Sequence, residues 1–278
     1  MIKVLSEGLY TTIQDSGRFR YRHLGVPVGG YLDEYSAEKA NLMIGNIASA
    51  ALMEITLLGP TLKFQESTFI AITGLEAQVY LNNELIPVNT VYQIKKNDIL
   101  SIKQITKGSR LYISVKGGFK TKKVLGSRSY FKNITNAARI LKNDELPIDS
   151  YKELQKDHFH IEAFNFNTQV LEVSKGPEFE ILSEADKTSI FSKNFTISND
   201  NNRMGYRLNE TISTNNFSII TSGTIPGVVQ LTPKGELIVL MKDGQTTGGY
   251  PRVFLLSKKA INILAQKHTN DTVKFELK

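Results

Sequence analysis

Short apolar segments separated by turn residues recur along the whole chain, and this pattern limits the fold more than any other feature. Apolar residues alternate or run for a few positions, and dipeptides such as Asn82-Asn83 and Lys234-Gly235 interrupt them. Segments of this length favour β-strands joined by tight turns. The pattern predicts strands at 2–5, 69–72, 78–81, 91–94, 99–102, 111–115, 170–173, 195–198, 217–220, 228–231, 237–241 and 273–277.

Few segments have helical periodicity. Asp33 can cap a helix over 33–44, which Gly45-Asn46 would end. A second helix is predicted over 178–190 after Pro177, and a third over 257–266. Many strands with a few isolated helices predict a mainly β fold of barrels or sandwiches.

Composition excludes several classes of protein. The 278 residues contain 34 Lys and Arg against 27 Asp and Glu, a net charge of +7, and no cysteine. The missing cysteines exclude disulfides, thiol catalysis and zinc held by cysteine. The lysines are dispersed and no basic helix stands out, so the charge predicts a solvated surface and no nucleic-acid partner.

The apolar runs are too short for a membrane-spanning helix, which needs about 18 or more apolar residues. We therefore expect no membrane association and a cytoplasmic location.

The chain is expected to form two domains. A polar stretch predicts a linker at 151–164 between an N-terminal domain, 1–150, and a C-terminal domain, 165–278. Each half contains one copy of the spacing D-x-x-R-x-x-Y-R, as Asp15, Arg18, Tyr21 and Arg22 and as Asp200, Arg203, Tyr206 and Arg207. Duplication and coincidence both explain one short match.

Four segments combine glycines with polar side chains that could bind a small ligand. In 11–30, Arg18 and His23 could bind an anion, and Asp15 could orient one of them or act as a base. A turn stabilised by internal pairing is the alternative. The other three segments are 116–129, 199–208 and 242–251. A mobile glycine loop explains 116–129 equally well, and a bulged hairpin explains 242–251.

Other signals are rejected. Met241-Lys242 is followed by Asp243, unlike a biotin attachment site, so no biotin is expected on this chain. The spacing of the histidines, two of them His158 and His160 in the linker, does not predict a metal site. No P-loop or G-x-S-x-G motif is present.

The segments also carry a resemblance. The chain resembles the allophanate hydrolase subunit 2-like family, or biotin-dependent carboxyltransferase subdomain family, which includes the C subunit of 5-oxoprolinase and KipA-type proteins. The resemblance rests on TTIQDSGR at 11–18, HLGVPVGGYLDE at 23–34, AEKANLMIGN at 37–46, VKGGF at 115–119, VLGSRS at 124–129, RMGYRL at 203–208 and DGQTTGGYPRV at 243–253.

This resemblance implies two cyclophilin-like β-barrel subdomains with a few short helices. It also implies two partners: a KipI-like protein, which is the B subunit of 5-oxoprolinase, and a LamB/YcsF-like protein, which is the A subunit. Such a complex would use ATP to hydrolyse 5-oxo-L-proline to L-glutamate, with the ATP site not assigned to this chain. The alternatives are carboxyl transfer to a urea-like substrate and a KipA-type regulatory protein that binds a KipI-like inhibitor of a histidine kinase.

Either reaction must stabilise negative charge that develops on an amide or urea, which arginines and glycine backbone N–H groups can do. The candidate catalytic residues are Gln14, Asp15, Arg18, His23 and Arg203. The candidate substrate-binding residues are Gly117, Gly118, Ser127, Arg128, Tyr206, Arg207, Gln245, Thr246, Thr247, Gly248 and Gly249. We expect the loops of both halves to meet in one polar recess.

Overall fold

The computed structural model describes residues 1–154 and 162–278. The chain divides into two compact units: the first comprises Met1–Arg18 and Gly29–Phe164, and the second Phe19–Val28 and Asn165–Lys278. The domain boundaries derived from the sequence remain a prediction. Residues 155–161 of the expected linker, with His158 and His160, lie outside the described residues.

The first unit is built on one curled nine-stranded sheet, a half-barrel. Its strands are β1 (Ile2–Ser6), β2 (Tyr10–Gln14), β3 (Leu52–Thr56), β4 (Thr61–Phe64), β5 (Thr68–Leu81), β6 (Glu84–Ile86), β7 (Thr90–Ile94), β8 (Ile99–Val115) and β9 (Glu145–Leu146). The order β2-β3-β8-β4-β1-β9 forms the main path, and β5 joins β8 to the hairpin strands β6 and β7. Asn82 and Asn83 both adopt positive φ, so the predicted hairpin turn is confirmed.

Two strands in this unit are longer than predicted. The segments 69–72 and 78–81 are parts of the single strand β5, and 99–102 and 111–115 are parts of β8. The register between β5 and β8 shifts near Gly74, whose φ is 154°. Bulges let a long strand bend without ending, so a break in the apolar pattern did not mark a turn here.

Helix α1 (Glu34–Met43) packs on this sheet, and its predicted limits are confirmed. The Asp33 side chain accepts a hydrogen bond from Ser36 N at 3.0 Å, which caps the helix. Gly45 follows the helix with a φ of 64°. The buried side of the helix includes Ala37 and Ala40.

The second unit is a closed barrel. Seven strands form it in the order β10-β17-β14-β15-β12-β11-β18. They are β10 (Val170–Lys175), β11 (Phe195–Asn201), β12 (Gly205–Thr211), β14 (Val228–Leu231), β15 (Glu236–Leu240), β17 (Arg252–Leu256) and β18 (Thr272–Leu277). Strands β13 (Ser222–Gly223) and β16 (Thr247–Gly248) form a separate two-stranded sheet. Both units confirm the mainly β fold.

Helix α3 (Lys258–Ala265) is confirmed, with the Ser257 side chain as its cap. The predicted helix over 178–190 is wrong in its first turn. Residues Phe179–Ile181 form a 3-10 turn, and α2 (Glu184–Ser192) begins only after Ser183, whose side chain accepts from Asp186 N. The serine is the stronger start signal because its side chain satisfies one of the free backbone donors of the first helical turn, whereas a proline side chain has no acceptor with which to do so.

The predicted strand at 217–220 is also wrong. This segment lies outside regular secondary structure, and Ile220 is 95% exposed. Asn215 turns the chain by accepting from Phe217 N at 3.1 Å. The apolar residues therefore do not face a core. No helix in the described ranges is long and apolar enough to cross a membrane.

Candidate functional site

Asp15 organises the loop that follows β2 in the first unit. Its Oδ1 accepts hydrogen bonds from Gly17 N at 2.9 Å, Ser127 Oγ at 2.6 Å and Ser129 Oγ at 2.7 Å. Its Oδ2 accepts from Arg128 N at 2.6 Å. A carboxylate offers about four acceptor positions, so these contacts with the chain leave Asp15 largely satisfied.

Arg18 is fully buried behind this carboxylate. Its Nε donates to Val124 O at 3.1 Å and its Nη2 to Ser129 O at 2.7 Å. The guanidinium thereby holds both ends of the 124–129 loop. Arg18 is not among the residues that line the neighbouring recess, so the structure favours a positioning role over direct contact with an anion.

A recess of about 470 Å³ opens beside Asp15. It is lined by Asp15, Ser16, Gly17, Gly45, Asn46, Ile47, Ser49, Ala50, Ala51, Lys116, Gly117, Phe119, Lys120, Lys123, Gly126, Arg128 and Tyr151. Four of these residues are cationic and one is anionic, so the recess favours an anionic or charge-accumulating ligand.

The cations of the recess differ in how firmly they are held. Lys116 Nζ donates to Gly45 O at 3.0 Å, at the C-terminal end of α1. Lys120 forms a salt bridge with Asp149 at 2.9 Å. The Arg128 guanidinium donates to Thr121 O. These contacts preset the direction of three positive charges.

Glycine is required where the recess meets β8. Gly117 has a φ of 81°, and an added Cβ would lie 2.7 Å from Tyr151 Oη. Its N–H donates to Asn46 Oδ1 at 2.8 Å. Gly118, with a φ of 73°, is similarly close to Ala51 O, at 3.2 Å from an added Cβ. Side chains here would fill space that the turn needs.

Gln14 lies near Asp15 but does not line the recess. It is fully buried, and its Nε2 donates to Thr12 Oγ1 at 3.0 Å and Tyr130 O at 3.4 Å. Its Oε1 has no hydrogen-bond partner in the described ranges.

Burial and the Asp144 carboxylate raise the pKa of Tyr130 to about 12, so this phenol stays protonated at neutral pH.

Arg203 is part of the second unit, where it forms a buried pair. Its Nε and Nη2 donate to the two carboxylate oxygens of Asp243 at 2.8 and 2.9 Å. Asp243 N donates back to Arg203 O at 2.9 Å. Tyr206 is also buried, with 1% exposure. This bidentate pair joins two loops, which favours a structural role for Arg203.

The second unit contains its own cleft, of about 440 Å³. It is lined by Asp200, Asn202, Met204, Gly205, Arg207, Gln230, Ile238, Leu240, Gln245 and Tyr250. Arg207 Nη1 forms a salt bridge with Glu236 at 2.7 Å. Gln245 Nε2 donates to Gln230 Oε1 at 3.2 Å.

The segment 245–249 is only partly exposed to this cleft. Thr246 is buried, and its carbonyl accepts from Thr224 N at 3.0 Å. Thr247 and Gly248 form β16, and Gly249 O accepts from Ile219 N at 3.1 Å. Gly248 packs against Gln230, since an added Cβ would lie 2.6 Å from Nε2.

Residues 19–28 belong to the second unit, although they follow Arg18 directly. Arg22 Nη2 donates to Thr246 O at 3.2 Å, and burial lowers the pKa of Arg22. His23 lies exposed in the 3-10 turn Arg22–Leu24. It makes no hydrogen bond or ion pair with the described residues, so nothing there orients it as a proton carrier.

The Asp-Arg-Tyr-Arg spacing does not mark a structural repeat. Asp15 and Arg18 lie in the first unit, whereas Tyr21 and Arg22 lie in the second. All four residues of the later copy lie in the second unit, in or between β11 and β12. The two copies occupy different structural positions, which favours coincidence over duplication.

The structure thus brings Asp15, Gly117, Ser127 and Arg128 together in the first unit. Arg207 and Gln245 share the cleft of the second. Sequence reasoning missed Asn46, Lys123 and Tyr151 in the recess and Gln230 in the cleft. The sequence indicates Asn46 only as a helix stop. Gln230 stands in an apolar strand, and a lone amide among apolar residues is the signal that could identify it.

Residues 24–277 match the family model described as carboxyltransferase domain, subdomain A and B. Over 272 residues the chain is 33% identical to the C subunit of 5-oxoprolinase from Escherichia coli (strain K12), covering 96% of this chain and 87% of that protein. Over 130 residues it is 42% identical to urea amidolyase of Lachancea kluyveri, covering 46% of this chain and 7% of that protein.

Solved structures resemble the whole fold. The structure of TTHA0988 matches 99% of this chain with a TM-score of 0.89 and 26% identity. This chain spans 55% of the TTHA0988 chain, about half its length. The K. lactis urea amidolyase matches 99% of this chain with a TM-score of 0.86 and 27% identity, and 18% of that enzyme is covered.

Proposed function

The chain belongs to the carboxyltransferase domain family, subdomain A and B, and we propose that it is one subunit of an ATP-dependent 5-oxoprolinase complex. That complex would hydrolyse 5-oxo-L-proline to L-glutamate. Support comes from the 33% identity to the C subunit of a 5-oxoprolinase, which extends over 96% of this chain. A relative named as a subunit implies other subunits, and we propose a KipI-like protein as the B subunit and a LamB/YcsF-like protein as the A subunit.

The cationic recess is the observation that carries this proposal. Opening a lactam places negative charge on the amide oxygen, and phosphorylation of that oxygen adds more. The three held cations Lys116, Lys120 and Arg128 line this recess of about 470 Å³. Charges that are preset before reaction stabilise such a state better than reorganising solvent does.

We assign Asp15 a positioning role. Its carboxylate already accepts four hydrogen bonds from the 15–17 and 127–129 loops. These contacts fix the Arg128 backbone beside the recess that Arg128 lines. Arg18 supports the same loop from behind. ATP is a co-substrate of the proposed complex, and no nucleotide site is assigned to this chain.

The test is reconstitution with both proposed partners, followed by an assay of 5-oxoproline- and ATP-dependent glutamate formation. Arg128→Ala should lower kcat by roughly 100- to 1000-fold, the usual effect of losing one preset donor. Arg139→Ala is the matched control, because Arg139 is an exposed arginine of the same unit outside the recess. Equal turnover by the two variants would contradict the assignment, and no glutamate from the complete complex would contradict the proposed reaction.

Carboxyl transfer to a urea-like acceptor is the second candidate. The 42% identity to a urea amidolyase over 130 residues favours it. The same reconstituted complex distinguishes the two reactions when urea, bicarbonate, a biotin carboxylase and a biotinylated carrier protein replace 5-oxoproline. With ATP present, the carboxylase forms carboxybiotin, which can then give its carboxyl group to urea. Urea-dependent ATP consumption without activity on 5-oxoproline would favour carboxyl transfer.

A further inference from the structure

Gln230 is a buried amide whose hydrogen bonding is incomplete. It lies in β14 with 1% exposure, surrounded in sequence by Val228, Val229 and Leu231. Its Oε1 accepts from Gln245 Nε2 at 3.2 Å. Its Nε2 has no hydrogen-bond partner within the described residues. Buried amide donors are nearly always paired, so this exception needs an explanation.

The position of this amide points to a ligand. Gln230 lines the second-unit cleft of about 440 Å³, together with Gln245. The Gln230 amide packs directly against the Gly248 backbone. This contact requires glycine, because a Cβ added at Gly248 would lie 2.6 Å from Gln230 Nε2. Gln230 thus lies at the wall of an open cleft, with its unpaired donor buried beside Gly248.

The cleft favours a neutral group beside this amide. Arg207 is the one cation among the described residues that line the cleft, and Glu236 neutralises it at 2.7 Å. Asp200 supplies a negative charge, and Ile238 and Leu240 supply apolar surface. In the described ranges Gln245 uses only Nε2 and its backbone carbonyl for hydrogen bonds, which leaves Oε1 as an acceptor.

We propose that Gln230 and Gln245 bind the amide group of a lactam- or urea-type ligand. Gln230 Nε2 donates to the ligand carbonyl, and Gln245 Oε1 accepts from the ligand N–H. Lactams and ureas present a carbonyl and an N–H on the same side, so one such group satisfies both glutamines. The choice of this ligand class rests on the proposed function, whereas the unpaired donor does not.

The experiment uses the full chain without partners or ATP. Side-chain amide signals in ¹⁵N–¹H NMR spectra are followed while 2-pyrrolidinone is added, with cyclopentanone as a probe that keeps the ring and carbonyl but lacks N–H. We expect a saturable shift of the Gln230 signal and at least about tenfold weaker binding of cyclopentanone. No shift at Gln230, or equal binding of the two probes, would overturn the proposal.

Three variants complete the test. Gln230→Met and Gln245→Met should each weaken 2-pyrrolidinone binding at least about tenfold. Gln78→Met should not, because Gln78 is exposed on β5 in the first unit. Gln230→Met should melt at or above the wild-type temperature, since it removes a buried donor without an acceptor. A markedly lower melting temperature would show that Nε2 is satisfied within the fold and would contradict the proposal.

Failure of this inference is distinguishable from failure of the proposed function. If the complex forms glutamate but the Gln230 signal does not shift, only the proposal that Gln230 and Gln245 bind the ligand is refuted. Lactam binding at Gln230 in a chain whose complete complex forms no glutamate refutes only the reaction.

Discussion

Replacement of Asp15 by alanine should destabilise the first unit strongly. The carboxylate accepts four hydrogen bonds, from the N–H groups of Gly17 and Arg128 and from the hydroxyls of Ser127 and Ser129. The hydroxyls can rotate toward other acceptors, but the backbone N–H groups cannot. Both N–H groups are partly buried, and a hydrogen bond to a charged acceptor contributes about 1.5–3 kcal/mol, so the loss of these two bonds should cost about 4 kcal/mol.

A graded series makes this magnitude testable. Asp15→Asn keeps an oxygen for the three bonds at Oδ1 and directs an amide N–H₂ against Arg128 N–H, so it should cost about 1–3 kcal/mol. Asp149→Ala is the control, because Asp149 forms a salt bridge with Lys120 and its side chain is 49% exposed. Exposed pairs contribute about 0–1 kcal/mol.

Differential scanning calorimetry measures the series. A loss of about 4 kcal/mol corresponds to a melting temperature roughly 8–16 °C lower for a unit of this size. The two compact units can unfold separately, so the transition of each is followed. If Asp15→Ala melts within about 2 °C of Asp149→Ala, the carboxylate does not organise the 127–129 loop and the reasoning fails.

Three further outcomes are expected in the second unit. Arg203→Lys replaces a fork by a point charge and breaks the two-bond contact with Asp243, so denaturant unfolding should show a loss of about 1–3 kcal/mol; no loss would contradict a structural role. The hydrogen bond from Arg252 lowers the pKa of Glu178 below 4.5, so this pair stabilises the unit above the unfolded pKa and the stability is lost as the pH falls through the lower folded value. Glu178→Gln should remove that acid dependence from urea unfolding curves, and an unchanged dependence would contradict the pairing. Gly248→Ala should displace the buried glutamine of the cleft and weaken 2-pyrrolidinone binding with little change in melting temperature, because a flexible side chain can move aside; unchanged binding would contradict the cleft geometry.

Local signals in the sequence predicted local structure well. Asp33 and Ser257 cap the helices that their positions indicated, and Asn82-Asn83 forms a hairpin turn. Each of these features depends on residues a few positions apart. A cap or a turn satisfies its own backbone groups wherever the segment lies in the fold.

Strands with polar residues on a buried side were missed. β2 contains Thr11, Thr12 and Gln14, all buried, and β3 contains the buried Glu54. Glu54 Oε2 accepts from Leu32 N at 2.8 Å. Such strands lack apolar alternation because distant partners satisfy their polar groups, and a local pattern cannot reveal those partners.

The chain's own residues determined a mainly β architecture, the positions of its turns and helix starts, and its family, because these depend on short-range chemistry or on long shared strings. Only the tertiary structure decided what the polar residues do. Ser127 reaches Asp15 across 112 positions, Arg18 is buried and does not line the recess, and Gln230 lines a cleft with one amide donor unpaired within the described residues. Sequence spacing identifies groups capable of chemistry, whereas burial and the partners brought by folding determine which of them stay available to a ligand.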